Sequence, residues 1–190
     1  QNGLNVGSYE QIELLETTAI FDGQRSRGRF RVDGTLSLMQ TFSNGLTKTL
    51  DSWPAVSGSS SLLPIPNGDE WQLSNFSFRD NRGNRYNDRM IRDGVGFSVD
   101  ITPDPLHGRS LLRIHPDGGL AGTQGCIGLT CGSDRLTTFE NAIQKAFECH
   151  STIPLQVSGS YNGPDGGWGR PINRSPERNV NSTPINRTNN

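Results

Sequence analysis

The chain has 190 residues, enough for one domain with a full core or for one domain and a tail. Only 31% of the residues are hydrophobic, while 23 glycines and 11 prolines favour turns and short strands over long helices. A formal net charge of -1 provides no field that would recruit nucleic acid, and no apolar run approaches the roughly 18–20 residues of a membrane span.

Residues 1–29 read as an N-terminal extension with one apolar run, Ile12 to Ile20, broken by Glu13 and Glu16. From Phe30 the apolar residues alternate through Val32, Leu36, Leu38 and then Leu46 to Leu50. Asp33-Gly34 and Asn44-Gly45 punctuate this run, which predicts a β-hairpin. Glu70 to Leu73 predicts a strand. Arg79 to Arg92, polar and rich in Gly and Asn, predicts an exposed loop bordering a groove. Val95 to Ile101 alternates again, and Ser110 to Ile114 reads as a buried central strand. One helix is expected, Asp134 to Glu148, because Leu136, Phe139, Ile143, Ala146 and Phe147 recur at steps of three and four behind an N-cap at Ser133. Ile153 to Val157 predicts a closing strand. Residues 159–190 are dominated by Gly, Asn, Pro, Arg and Ser; apolar groups this sparse do not offset the entropy of ordering, so a tail is expected. Trp168 would be its anchor if the tail docks on a protein partner.

Three cysteines, Cys126, Cys131 and Cys149, are too few for a disulfide framework. A helix of about 14 residues, roughly 21 Å long, would separate Cys131 from Cys149, whereas a disulfide needs Cα atoms within about 7 Å. Cys126 is therefore expected to be a free thiol. No zinc-ligand spacing connects the cysteines with His115.

The chemistry concentrates in Arg113-Ile-His-Pro-Asp-Gly-Gly-Leu-Ala-Gly-Thr-Gln-Gly-Cys-Ile-Gly-Leu129. A thiol attacks a carbonyl as thiolate, and a neighbouring imidazole is the usual acceptor of its proton. Here His115 and Cys126 are joined by glycine-rich turns between two apolar segments, so two adjacent strands can hold them together. Taken singly, each residue has a plainer role. Cys126 would be a small buried side chain, His115 and Asp117 turn residues, His107 a solvated loop residue, and His150 a complement to the helix C-terminus. Papain-like cysteine hydrolases place the cysteine before the histidine, but the only histidine after Cys126 is His150.

Taken together, these residues resemble the L,D-transpeptidase (YkuD-type) catalytic domain. Ile114-His115 is similar to that family's Ile-His pair, and Thr123-Gln-Gly-Cys-Ile127 to its nucleophile motif. Pro64-Ile-Pro-Asn-Gly68 resembles an upstream segment of the family, and Ile153 to Val157 its closing strand. Residues 30–158 follow the pattern, with 110–136 the specific part. Three positions depart from it. Gly128 stands where the family usually has arginine, Gln124 where it often has histidine, and the interval from His115 to Cys126 is short. The chain thus looks like a divergent branch similar to secreted antibacterial effectors or phage cell-wall enzymes.

The resemblance implies a mainly β fold, a YkuD-like β-sandwich or barrel over residues 30–158, with one main α-helix after the nucleophile strand. It implies acyl transfer from peptidoglycan stem tetrapeptides, with Cys126 as nucleophile and His115 as base. The backbone N–H of Cys126, helped by Gly125, would form the oxyanion site. Thr123, Gln124 and Arg113 (or Arg109) would position the substrate, and no metal or other cofactor would be needed. The setting implied is periplasmic or cell-wall-facing, reached by export or delivery, since no signal-peptide pattern opens this chain. The other expectation is a weakly active or inactive peptidoglycan-binding module, or a structural part of a virion or secretion apparatus.

Overall fold

A computed structural model describes residues 12–25, 30–80, 88–103, 110–119 and 122–159. The hairpin expected after Phe30 is present as β2 (Val32–Phe42) and β3 (Thr47–Ser57), antiparallel and turning at Asn44-Gly45. Gly45 takes φ +79, a conformation that favours glycine, and the Asn44 side chain accepts the Leu46 N–H at 3.0 Å. Asp33-Gly34, expected to punctuate the run, lies instead inside β2, where pairing on both sides holds it extended.

Residues read as an N-terminal extension supply β1 (Leu14–Arg25), which pairs antiparallel with β2 and parallel with β9 (Ile153–Ser158). Its Thr17, Ala19 and Phe21 are buried at alternate positions. The division at residue 29 therefore falls within the sheet. The apolar run was too irregular to reveal a strand whose partner lies far along the chain.

The remaining strands are β4 (Gly68–Phe78), the short β5 (Ile91–Arg92) after a 3-10 turn at Asp88–Met90, β6 (Val95–Thr102), β7 (Arg113–Pro116) and β8 (Ile127–Leu129). They join in the order β4-β9-β1-β2-β3-β8-β7-β6-β5. The β4–β6 pairing closes eight of them into a barrel, leaving β5 outside. Among the described residues the architecture is mainly β with a single α-helix, as expected.

An eight-stranded barrel has an interior just wide enough for side chains. Here Phe21, Leu36, Leu38, Trp53, Trp71, Leu73, Phe97, Ile114, Ile127 and Leu129 fill the core, all fully buried. Helix α1 (Ser133–Cys149) adds Leu136, Phe139 and Ile143 to the same core. Phe139 meets Trp53 edge-on at 5.0 Å and stacks on Phe97 at 5.5 Å. The Trp53 indole N–H donates to Thr138 Oγ1 at 3.0 Å, so its polar atom is satisfied where it is buried. The N-cap is Gly132 rather than Ser133, and no side chain caps the helix. The interior is thus filled with side chains, which leaves the barrel's outer face and ends open to a site.

Candidate active site

Strands β6, β7 and β8 are adjacent, and alternation divides their residues cleanly. Phe97, Val99, Ile101, Ile114, Ile127 and Leu129 point into the core. The alternate positions carry Ser98, Asp100, Arg113, His115 and Gly128, so the outer face is polar. The expected strand at Ser110 to Ile114 begins later, at Arg113, and runs through His115 to Pro116. Leu111 is exposed with φ +57, which ends any extended run before it.

β7 and β8 run parallel, with His115 opposite Gly128. Cys126 directly precedes β8, two positions before Gly128, in the bend that leads into the inward-facing Ile127. In an ideal extended pair such an offset would put Cα atoms about 8 Å apart; Cys126 itself lies in the bend, before the extended run begins. Cys126 is partly exposed, and its Sγ lies 3.8 Å from the Leu111 carbonyl oxygen. Cys131 and Cys149 are also free; Cys131 is buried, which raises its thiol pKa.

His115 is 6% exposed, and its Nδ1 is 2.8 Å from the Pro116 carbonyl oxygen. A carbonyl only accepts, so Nδ1 carries the proton and Nε2 is the basic nitrogen. Burial lowers the His115 pKa, against the Pro116 hydrogen bond and the Asp117 carboxylate, which raise it; Arg113 and Arg79 lower it further. The ring is therefore neutral near pH 7, the state a proton acceptor needs.

The loop before Cys126 is anchored by Thr123 of the expected motif together with Ser57 and Gly58 at the end of β3. Thr123 Oγ1 donates to the Cys126 carbonyl and accepts the Gly58 N–H at 3.1 Å, while the Thr123 N–H donates to the Gly58 carbonyl at 2.9 Å. Ser57, fully buried, accepts the Ile65 N–H at 2.8 Å and donates to the Gly125 carbonyl at 3.4 Å. Thr123 thus contacts the backbone of Cys126 rather than open space. Asp117, 6% exposed, accepts the Gly122 N–H at 3.2 Å, and its carbonyl accepts from Arg92 at 3.1 Å. It does form a turn, but one packed against the site, with its own N–H donating to the Leu129 carbonyl at 2.8 Å. The sequence signal for Asp117 was its place two residues after His115, on the same strand alternation.

Gly128 has a packing reason. A Cβ there would lie 2.8 Å from Thr123 Cγ2 and 3.0 Å from Asp117 Cβ, so no arginine fits at that position. Arg113 shares the outer face with His115, but its Nε donates to Asp100 at 2.9 Å, so its charge is already engaged. Gln124 is exposed in the bend before Cys126. His107, Arg109, Trp168 and the expected tail beyond Gly159 lie outside the described residues. His150 is the C-cap of α1, its N–H donating to the Ala146 carbonyl at 3.1 Å.

Among the described residues, no group of three or more His, Cys, Asp or Glu side chains could hold a metal ion. No helix among them is long and apolar enough to cross a membrane. No family model, curated protein or solved structure matches the chain.

Proposed function

We propose that this chain is a peptidoglycan-acting cysteine enzyme of the L,D-transpeptidase type, working where the cell wall is exposed, in the periplasm or at the wall itself. The observation that carries the reading is the parallel β7–β8 pair, in which a neutral, Nδ1-protonated His115 lies beside the strand that Cys126 directly precedes.

In the reaction the thiol turns from the Leu111 carbonyl toward His115, and Nε2 takes its proton. The sulfur attacks the carbonyl that joins the L-centre to the terminal D-residue of a stem tetrapeptide. Charge on the carbonyl oxygen meets the backbone N–H of Cys126, presented by the turn at Gly125, whose φ is +101. The C–N bond breaks, and the imidazolium returns its proton to the departing amine, leaving a thioester on Cys126. An amine or a water then gives its proton to His115 and attacks the thioester. The C–S bond breaks and the thiol is restored. An amine yields a crosslink or an exchanged D-residue; water yields a tripeptide.

The test is incubation of the protein with purified muropeptides, followed by mass spectrometry with and without added D-amino acid. Tetrapeptide should convert to tripeptide or to the exchanged tetrapeptide, and Cys126→Ala and His115→Gln should each lose this activity by at least about 10³-fold. Tight binding by wild type and Cys126→Ala alike, with no conversion by either, would overturn the enzymatic reading in favour of a wall-binding module.

A further inference from the structure

We infer that Arg79 is the anchor for the terminal carboxylate of the substrate, a specificity residue on the far side of His115 from Cys126. This inference rests on the peptide-cleaving reading above and adds a residue to it.

The placement follows from strand register. Val99 pairs with Ile114 and Asp100 with Arg113 across β6 and β7. Continuing that antiparallel register by one residue sets Ser98 opposite His115, both on the outer face. Arg79 follows directly on β4, held by its N–H donating to the Gly96 carbonyl at 2.9 Å. Its Nε and Nη2 donate to Ser98 Oγ at 3.0 and 2.8 Å. Ser98 is fully buried, so the head group is fixed at one point of the sheet rather than left in solvent. Cys126, His115, Ser98 and Arg79 therefore lie in order across β8, β7, β6 and the end of β4, about 14 Å over three strand spacings.

The charge state marks this arginine out. Arg31, Arg92, Arg113 and Arg135 each lie within ion-pair distance of an aspartate. Arg89 is exposed to water. Arg79 is half-buried, and among the described residues its guanidinium meets a neutral hydroxyl and no carboxylate. A guanidinium has five N–H donors, and Ser98 takes two. The remaining three keep the planar fork that binds a carboxylate. With no carboxylate against it among the described residues, this cation can take an incoming anion without first giving up an ion pair.

The order along the row matches the order along the scissile peptide. The nucleophile stands at the carbonyl carbon and the proton donor at the leaving nitrogen. The carboxylate of the leaving residue lies one residue further, about 3.5 Å along the chain. Arg113, the nearest other cation on this face, is committed to Asp100.

The experiment uses the full chain with Cys126→Ala, so that ligands bind without turnover. A disaccharide tetrapeptide with a free terminal carboxylate is compared by calorimetry with its C-terminal amide. The free acid should bind at least about tenfold more tightly, the lower range for a charge-assisted hydrogen bond. Adding Arg79→Gln should bring the two ligands level, and Arg79→Lys should keep a reduced preference. Far-ultraviolet circular dichroism reports whether each variant is folded. An undiminished preference for the acid in folded Arg79→Gln overturns the inference and leaves the wall-peptide reading standing.

Sodium acetate supplies the second arm, read on the His115 ring resonances with sodium chloride at equal ionic strength as the control. A saturable shift that Arg79→Gln abolishes supports the anion site even if the tetrapeptide fails to bind, which would count against the wall-peptide reading alone. No acetate response and no tetrapeptide binding would overturn both.

Discussion

Gly128→Ala places a methyl group 2.8 Å from Thr123 Cγ2 and 3.0 Å from Asp117 Cβ, where carbon atoms prefer about 3.5–4.0 Å. The crowding is hard to relieve by rotation. Thr123 Oγ1 is held between the Gly58 N–H and the Cys126 carbonyl, and turning the side chain to move Cγ2 breaks both bonds. Overpacking a filled site costs about 1–3 kcal/mol, which for a domain of this size lowers Tm by roughly 2–4 °C per kcal/mol. We therefore expect a fall of about 2–12 °C by calorimetry, together with reduced muropeptide turnover, because the strain is passed to the backbone of Cys126. Thr123→Ser removes the nearer obstacle and keeps the hydroxyl. In that background Gly128→Ala should cost about half as much, since the Asp117 contact remains, and the two substitutions should be visibly non-additive. A neutral Gly128→Ala, or an equal loss in both backgrounds, would refute the claim that this glycine is required by the packing of Thr123.

Two further outcomes follow from the same coordinates. His115 is neutral in the folded protein because burial lowers its pKa below the ordinary 6.5. Below that pH the unfolded chain binds the extra proton first, so stability present above pH 6.5 is lost as the pH falls toward the folded value. The slope for one such group is at most about 1.4 kcal/mol per pH unit. Urea midpoints between pH 7.5 and 5 should fall more steeply for wild type than for His115→Gln, and parallel curves would show the ring is not shielded. Phe139→Ala removes the ring that stacks on Phe97 and meets Trp53, at a cost of about 3–5 kcal/mol in denaturant unfolding. A loss below about 1 kcal/mol would mean that α1 is not seated in the core as described.

Local pattern was sufficient for one hairpin and for the helix, but not for the helix cap or for Asp33-Gly34. The β2–β3 hairpin followed from alternation and Asn44-Gly45, and α1 from the spacing of Leu136, Phe139, Ile143 and Ala146. His115 and Cys126 were singled out because imidazole and thiol lie within one glycine-rich segment. The parallel pairings of β1 with β9 and β7 with β8, and the β4–β6 closure, join residues with no shared local signal, so only the tertiary structure decided them. Those pairings turn an apparent N-terminal extension into a barrel strand, and they bring Ser57, Gly58, Arg79 and Ser98 to the site from distant parts of the chain. They also decide which charges are spoken for. The sequence presents Arg79 and Arg113 as equivalent cations, but strand register commits Arg113 to Asp100 and sets Arg79 against a hydroxyl. Charge compensation depends on what lies across a sheet, and residue order along one strand does not carry that information.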